Sequence, residues 1–199
     1  MRGFGYNEGG MNTVFFTRKG DSGKSGFGAK TIKKDDALFD ALGALDTVNS
    51  FLGWCAVEAQ QYAKKKRSII VIHRELVVLQ EMLFMAQAEV AAIGFGVKGA
   101  RTIDAGTIKQ MESMILNIDA KLPAMKKFVL PGGSELASRL DIARAVSRDA
   151  ERALLRFNTK KKCSPELLMF ANRLSSVLFA FARFVNFELH IKEKNPSYK

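Results

Sequence analysis

Apolar residues along most of the chain recur every three or four positions, which is the spacing of one face of an α-helix. The clearest stripe begins after Asp35 and Asp36, either of which can cap a helix N-terminus. We expect a first helix from there to about Ala63. Its apolar face would consist of Leu38, Leu42, Leu45, Val48 and Leu52.

Four further stretches predict helices by the same criterion, over about residues 68–93, 102–122, 134–157 and 164–190. Thr102 or Asp104 would cap the third helix, and Pro123 would stop it. Ser134 would cap the fourth helix and Ser164 the fifth. Five long helices with short connections predict an all-α fold, an antiparallel five-helix bundle.

The two ends of the chain and one internal segment do not follow this spacing. Residues 1–12 are rich in glycine and are expected to form a disordered lead-in, while the polar and basic residues 13–35 are expected to be non-helical. Residues 128–134, F-V-L-P-G-G-S, predict an extended approach to a tight turn. We therefore expect one domain over residues 13–190, followed by a tail over residues 191–199.

The chain is basic, with 31 Lys and Arg against 20 Asp and Glu and a formal charge of +11. This excess favours polyanionic partners such as phosphorylated small molecules, nucleic acid or an anionic membrane. The alternative is a set of solvated lysine faces. The basic clusters at residues 64–67 and 160–162 lack the interleaved aromatic residues of a base-stacking surface, so we expect no nucleic-acid partner.

Cysteine and histidine are few and isolated. Cys55 and Cys163 form no C-x-x-C motif, and neither His73 nor His190 has a ligand-like neighbour. This pattern predicts no zinc site and no disulfide, and it fits a reducing, cytoplasmic compartment. The sequence contains no uncharged apolar run of about 18 residues and no apolar secretory core in its first ten residues, so we expect no membrane partner.

The stretch T-R-K-G-D-S-G-K-S-G, residues 17–26, resembles a shortened P-loop. A P-loop places four residues between its first Gly and the G-K-[ST] end, so that backbone N–H groups surround the phosphates. Here only Asp21 and Ser22 separate Gly20 from Gly23. The stretch is therefore either a phosphate loop of another kind or a flexible polar turn.

The predicted fourth helix carries two arginines and a glutamate on one face. Arg144, Arg148 and Glu151 lie within about 60° of one another, because each residue of a helix turns by about 100°. Such a stripe can clamp a phosphate, and the alternative is an exposed ladder of ion pairs. In the fifth helix Asn172 interrupts an apolar run, and taken alone it predicts a hydrogen bond between helices.

Six motifs follow one another along the chain: T-R-K-G-D-S-G-K-S, K-D-D, G-A-L-D-T-V-N-S, F-V-L-P-G-G-S, R-x-x-x-R-x-x-E-R and N-R-L-S. In order and spacing they resemble the propanediol-utilisation-type (PduO-type) ATP:corrinoid adenosyltransferases, over about residues 13–187. The resemblance implies a trimer of five-helix bundles with an active site at each subunit interface. The implied reaction transfers the 5′-deoxyadenosyl group of ATP to the Co(I) of cobalamin and releases triphosphate.

The resemblance also implies a role for individual residues. Arg148 and Glu151 would act at the ATP phosphates, and Asn172 would help to hold the nucleotide and its Mg²⁺. Phe128 would displace the lower axial ligand of cobalamin, which makes Co(II) easier to reduce; Phe128, Arg148 and Glu151 are thus the catalytic candidates. The N-terminal ATP-binding residues would be Thr17, Arg18, Gly20, Asp21, Gly23, Ser25 and Lys34.

Five further positions bear on assembly and activity. Asp46 and Arg144 match a salt bridge that the family forms across the subunit interface. At Thr47, Asp149 and Ser176 the chain departs from the family, which usually has an acid, an arginine and an acid there. One explanation is that an ion pair between the family's residues at these positions was lost in both partners together, so that Asp149 and Ser176 stand there now. The other explanation is reduced or lost activity.

The resemblance therefore leaves a main function and two alternatives. The main one is an active adenosyltransferase, with an electron-donating reductase and a B12-dependent acceptor enzyme as further partners. The runner-up is a catalytically weak or inactive relative that binds ATP or corrinoid as an escort or a sensor. A basic bundle that binds nucleic acid comes last, because it explains the charge but not the order of the motifs.

Overall fold

The computed structural model describes residue 16, residues 18–27 and residues 30–198. Five helices dominate this part of the chain, and the predicted all-α class is confirmed. They are α1 (Ala37–Lys65), α2 (Ile70–Phe95), α3 (Ala105–Asp119), α4 (Glu135–Lys160) and α5 (Pro165–Glu188), with a 3-10 turn (Arg67–Ile69) before α2. The predicted lead-in, residues 1–12, lies outside the described residues. The chain divides into an N-terminal unit that ends at Asp36 and a helical unit that begins at Ala37.

The N-terminal unit contains a short antiparallel hairpin. Strand β1 (Lys24–Phe27) pairs with strand β2 (Lys30–Lys33), with Lys24 opposite Lys33 and Phe27 opposite Lys30. The sequence pattern predicts a non-helical segment here but not these strands. Each strand has only four residues and most of them are exposed, so no alternation of buried and exposed positions stands out.

Side-chain caps begin three of the helices at predicted positions. Asp104, Ser134 and Ser164 each accept a hydrogen bond from the backbone N–H three residues ahead, at 2.7, 3.1 and 3.1 Å. Each cap satisfies one of the N–H groups that the first turn of a helix leaves unpaired. Of the two candidates for α3, the cap is therefore Asp104 and not Thr102.

Helix α3 is shorter than predicted, because it ends at Asp119 rather than at about Leu122. Lys121 and Leu122 instead donate hydrogen bonds of 2.9 and 3.1 Å to the carbonyls three residues back, which is a tighter turn. Pro123 is consistent with this early end, because it has no N–H and its ring would clash with the carbonyl of Asp119, four residues back, in a continued α-helix.

The core of the helical unit lies between α1, α4 and α5. Helix α1 packs against α2 and α4, and α5 packs against α4 and α3. The predicted apolar stripe of α1 is buried at Leu38, Leu45, Val48 and Leu52. The largest fully buried side chains come from α4 and α5 and are Phe157, Phe170, Phe181 and Phe184.

A buried carboxylate joins three segments of this bundle. Glu89 of α2 is 3% exposed and accepts hydrogen bonds from the backbone N of Ile103, at 2.8 Å, and from Oγ of Ser164, at 2.6 Å. A carboxylate at this depth needs such donors, because burying an unpaired charge is costly. Glu89 therefore ties α2 to the residue before the cap of α3 and to the cap of α5.

Two stretches of helix in the described chain are long and apolar enough to cross a membrane, by length and composition alone. They are Arg67–Phe95 and Pro165–Glu188, whose most apolar windows are 39% and 56% buried inside the protein. Core helices of a bundle pass the same criterion, and α5 supplies much of the core here. The expectation of no membrane partner stays a prediction.

Candidate functional site

Helices α4 and α5 bring Glu151 and Asn172 into contact, although 21 positions separate them in sequence. The Nδ2 atom of Asn172 donates a hydrogen bond to Oε1 of Glu151 at 2.8 Å. The predicted hydrogen bond between helices is thus present, and its asparagine is exposed rather than buried. Because the contact with Glu151 uses the side-chain NH₂ group of Asn172 as donor, the Oδ1 atom of Asn172 can accept hydrogen bonds from other groups.

Arg173, the next residue on α5, adds an arginine to this pair of polar side chains. Nη1 of Arg173 donates to Oδ1 of Asn172 at 3.0 Å, and Nε of Arg173 donates to Oε1 of Glu112 at 3.1 Å. The chain of contacts runs from α4 through α5 to α3. Sequence reasoning missed Arg173 and Glu112, and N-R-L-S alone carries no signal that its arginine reaches another helix.

Arg148 lies one turn before Glu151 on the same face of α4, and its side chain is exposed. Within the described part of the chain, no ion pair or hydrogen bond of its guanidinium is recorded. A guanidinium offers five donors in a planar fork that matches phosphate oxygens. Of the two sequence interpretations, an anion-binding arginine therefore fits Arg148 better than an ion-pair ladder.

Asp149, one of the departures from the family pattern, forms an ion pair with Arg152 on its own helix. Both side chains are more than half exposed. The structure thus gives Asp149 a partner other than Ser176, which is exposed on α5. Since Arg152 neutralises its charge locally, Asp149 leaves the contact between Glu151 and Asn172 intact.

Arg144 pairs with a residue that the sequence analysis did not single out. Its Nε atom donates to Oδ1 of Asp141 at 3.0 Å, one turn earlier on α4. The second oxygen of Asp141, Oδ2, accepts a hydrogen bond from the backbone N of Gly132 at 2.9 Å. Asp46 is exposed on α1, so its side chain is accessible to another subunit. Its pairing with Arg144 stays a prediction.

Residues 128–133, named here the Phe128 segment, lead without a helix or strand to a turn that contains two glycines. Gly132 and Gly133 have φ angles of +119° and +107°, which side chains other than glycine rarely adopt. Nδ2 of buried Asn186 donates to the carbonyl O of Gly132 at 2.8 Å, and a Cβ on Gly133 would lie only 2.5 Å from Oδ1 of Asn186. Asn186 of α5 therefore packs directly against the turn.

A cavity of about 180 Å³ opens beside this segment. Phe128 stands at it with its side chain 76% exposed, and the charged residues at its wall are Asp141, Arg144, Arg183 and Glu193. Ligand pockets usually enclose about 300–1,000 Å³. A single chain therefore provides an open shelf with an aromatic residue at its edge rather than an enclosed pocket.

The described part of the N-terminal stretch is an ordered turn that leads into β1. The N–H groups of Asp21 and Gly23 donate to the carbonyls three residues back, both at 3.2 Å, and the N–H of Lys34 donates to the carbonyl O of Gly23 at 2.9 Å. Arg18 and Gly23 have positive φ angles of 58° and 73°.

Predicted members of this loop differ in where they lie. Gly20 approaches Lys34 closely, since a Cβ on Gly20 would lie 2.9 Å from the Nζ atom of Lys34. Ser25 belongs to strand β1 and not to the turn, which corrects its placement in a loop. Thr17 lies outside the described residues.

Neither cysteine has the properties of a reactive site. Cys55 and Cys163 are free and buried. Burial raises the pKa of the Cys55 thiol to about 12 and that of the Cys163 thiol to about 11, from an ordinary value of 9.0. Since the thiolate is the nucleophilic form, both are inert at neutral pH. In the described residues, no group of three or more His, Cys, Asp or Glu side chains could hold a metal ion.

Residues 15–185 match the family model described as cobalamin adenosyltransferase. The chain belongs to the cobalamin adenosyltransferase family. It is 32% identical over 171 residues to the corrinoid adenosyltransferase of Bacillus subtilis, covering 86% of each protein. It is 33% identical over 180 residues to the corrinoid adenosyltransferase PduO of Citrobacter freundii, which is 89% of this chain but only about half, 51%, of that relative.

A solved structure is also similar to this adenosyltransferase-family chain. It is a variant of the PduO-type ATP:corrinoid adenosyltransferase from Lactobacillus reuteri, complexed with cobalamin and ATP. The TM-score is 0.82 at 28% sequence identity, over 92% of this chain and 97% of the other. The family and the bundle that the sequence motifs implied are thereby confirmed.

Proposed function

We propose that this chain transfers the 5′-deoxyadenosyl group of ATP to the cobalt of a reduced corrinoid and releases triphosphate. The observation that carries the proposal is the cluster on α4 and α5. Among the described residues the Arg148 guanidinium has no partner, and Glu151, one turn later on α4, is hydrogen-bonded to Asn172 of α5. Membership of the family supplies the reaction that such an anion-binding cluster would serve.

The chemistry needs no side-chain nucleophile. Co(I) is itself the nucleophile and attacks C5′ of the ribose; a cobalt–carbon bond forms, the C5′–O bond to the phosphates breaks, and its electron pair leaves with triphosphate. The protein therefore has to position the two substrates, exclude water and stabilise the charge that develops on the leaving group. Arg148 is our candidate for that last role, and Arg18 and Lys34 add positive charge to the N-terminal loop.

The residues of the cluster also fit a bound Mg²⁺. This ion prefers oxygen ligands and is usually held by one or two protein side chains together with phosphate oxygens. Glu151 offers a carboxylate and Asn172 an amide oxygen, and the two side chains are joined by their own hydrogen bond. The guanidinium of Arg173, which donates to that amide oxygen at 3.0 Å, would have to turn aside for a metal ion. Mg²⁺ bound there would neutralise phosphate charge, while the Asn172–Glu151 contact orients both ligands.

The exposure of Phe128 supports its proposed role toward the corrinoid. Aromatic side chains are usually buried, because each can remove a large apolar area from water. Phe128 instead projects from the wall of the cavity. An aromatic residue at that place can occupy the lower axial position of a bound corrinoid and exclude both its ligand and water.

We further propose a homotrimer with active sites between subunits. The open cavity is too small to enclose a corrinoid, and α1 and α2 expose large apolar side chains such as Trp54, Val57 and Phe84. These features favour association, and the number of three copies is what the resemblance to the family implies. Light scattering coupled to gel filtration measures how many chains of 22.0 kDa assemble. A monomer at micromolar concentration would refute the proposal.

The reaction also implies its setting. A reductase must supply the electron that makes Co(I), and an enzyme that uses adenosylcobalamin must accept the product. Two free, buried thiols are compatible with a reducing compartment, so we propose a cytoplasmic location without a nucleic-acid or membrane partner.

One assay tests the function directly. The protein is mixed with ATP, Mg²⁺ and chemically reduced cobalamin, and formation of the cobalt–carbon bond is followed by absorbance. We expect turnover. ATP binding without product would instead support the escort or sensor, and neither binding nor product would refute both functions.

A further inference from the structure

We propose that residues 193–195 of the C-terminal tail, named here the tail clamp, are a positioning element for Phe128. The inference rests on the proposed function, because it concerns the residue that would act at the lower face of the corrinoid. It assigns to the tail a part in the reduction of Co(II).

The tail clamp holds residues 128–130, the first half of the Phe128 segment, through two hydrogen bonds. The backbone N of Leu130 donates to the carbonyl O of Lys194 at 2.8 Å. Nδ2 of Asn195 donates to the carbonyl O of Phe128, also at 2.8 Å. The first contact joins two backbones and the second joins the Asn195 side chain to a backbone carbonyl, so adjacent tail residues hold positions 128 and 130.

The tail clamp is itself fixed to α5 by an ion pair. Nε of Arg183 donates to Oε1 of Glu193 at 3.1 Å, and Nη2 of Arg183 donates to Oε2 at 3.2 Å. The Arg183 side chain is only 10% exposed. A two-point contact of this kind is stronger and more specific in direction than a single ion pair on the surface.

The other end of the Phe128 segment does not need the tail. Gly132 is held by Asp141 of α4 and by Asn186 of α5. In contrast, the hydrogen bonds recorded for the backbone of residues 128–130 in the described chain both go to the tail clamp. Loss of the clamp would therefore release Phe128 while it leaves the glycine turn in place.

The side chain of Phe128 cannot compensate for that loss by packing, since most of its surface is exposed. Its direction is set by the backbone that carries it. A side chain that must displace the lower axial ligand has to keep one position at that face of the corrinoid, and a mobile backbone would let it adopt many positions. The tail clamp thus supplies the preorganisation that this step requires.

Two truncated chains and two substitutions separate this role from general stability. The first chain ends after Lys192 and lacks the clamp, whereas its control ends after Asn195 and keeps it. Asn195→Asp replaces the amide donor by a carboxylate of the same shape, and Ser197→Ala, farther along the exposed tail, is its matched control.

We expect loss of residues 193–199 to lower the rate from Co(II) with a reductant about tenfold or more, and the rate from prereduced Co(I) about threefold or less. Asn195→Asp should show the same direction of split, whereas the two controls should match the full chain in both assays. Equal losses from Co(II) and Co(I), or no loss from either, would overturn the inference.

A second measurement does not depend on activity. The amide proton of Leu130 should exchange with solvent at least ten times faster in the chain that ends after Lys192 than in the chain that ends after Asn195. The amide of Gly132, which donates to Asp141, should exchange equally in both and serves as the internal control. Unchanged exchange at Leu130 would refute the tail clamp, whereas faster exchange in a protein without turnover would refute only the proposed function.

Discussion

The side-chain amide of Asn172 on α5 donates a hydrogen bond of 2.8 Å to the carboxylate of Glu151 on α4. The contact joins two helices through exposed side chains, where burial does not force a polar group to find a partner. Its effect is to fix the direction of Glu151, while among the described residues nothing pairs with the guanidinium of Arg148. Both features suit the proposed binding of Mg²⁺-ATP.

Asn172→Ala should therefore weaken the binding of Mg²⁺-ATP while it leaves the fold almost unchanged. Loss of one hydrogen bond is worth about 0.5–1.5 kcal/mol, which corresponds to about a two- to tenfold higher Kd. Calorimetric titration measures the affinity, and Ser176→Ala, one turn later on the same helix, is the control. Equal affinities of the two variants would show that Asn172 does not act in binding.

Arg148→Ala should weaken ATP binding more strongly, because a hydrogen bond to a charged group is worth about 1.5–3 kcal/mol. We expect the Kd for ATP to rise about ten- to a hundredfold. Arg156→Ala removes another exposed arginine two turns farther along α4 and should leave the Kd unchanged. An unaltered affinity in Arg148→Ala would exclude a phosphate role.

Phe128→Ala should slow turnover from Co(II) far more than turnover from prereduced Co(I). The reason is that only the first assay requires the lower ligand to leave before the cobalt is reduced. Met125→Ala, an exposed apolar residue in the preceding loop, is the matched control and should change neither rate. Equal losses in both assays would show that Phe128 does not act on the lower ligand.

Gly133→Ala should destabilise the fold by about 2 kcal/mol or more, because a Cβ at a positive φ is strained and would also meet Asn186. Gly99→Ala is the matched control, since Gly99 also has a positive φ but nothing lies within 4 Å of the added atom. It should cost about 1 kcal/mol. Urea unfolding measures the difference, and equal costs would show that Asn186 moves away freely.

The two buried thiols should make stability depend on pH above 9. Their pKa values in the fold are about 12 and 11, whereas in the unfolded chain they are near 9.0. The contribution of the protonated thiols is therefore complete below pH 9 and is lost as the pH rises toward 11 and 12. Urea unfolding between pH 8 and 10.5 should show a smaller decline for Cys55→Ala than for the natural chain; parallel curves would contradict this.

Local chemistry explains which parts of this protein could be predicted from its sequence. Ser134 and Ser164 are readable as caps because the N–H groups they accept from lie three residues away. The hairpin and the early end of α3 were harder to predict, since strands of four residues show no period and Pro123 acts over more than its own position.

The long-range contacts of the site could not be predicted in this way. Asn186 reaches Gly132 over 54 positions, and Asn195 reaches Phe128 over 67. Nothing in the residues around either asparagine marks it as the partner of a distant backbone. Motif order grouped Arg148, Glu151 and Asn172 as candidates for one site, but the hydrogen bond between Glu151 and Asn172 forms only when α4 and α5 pack together.

The carboxylate of Asp141 contacts both the glycine turn and Arg144, the candidate for a contact between subunits. One of its oxygens accepts from the backbone N of Gly132, and the other accepts from Nε of Arg144. Within the described residues the other donors of Arg144 have no partner, and in the proposed trimer they would meet Asp46 of another copy. A second carboxylate on Arg144 would compete with Asp141 for the same positive charge. By thermodynamic reciprocity, subunit association would then alter the hold on the glycine turn, and a ligand that reshapes that turn would alter association by an equal free energy.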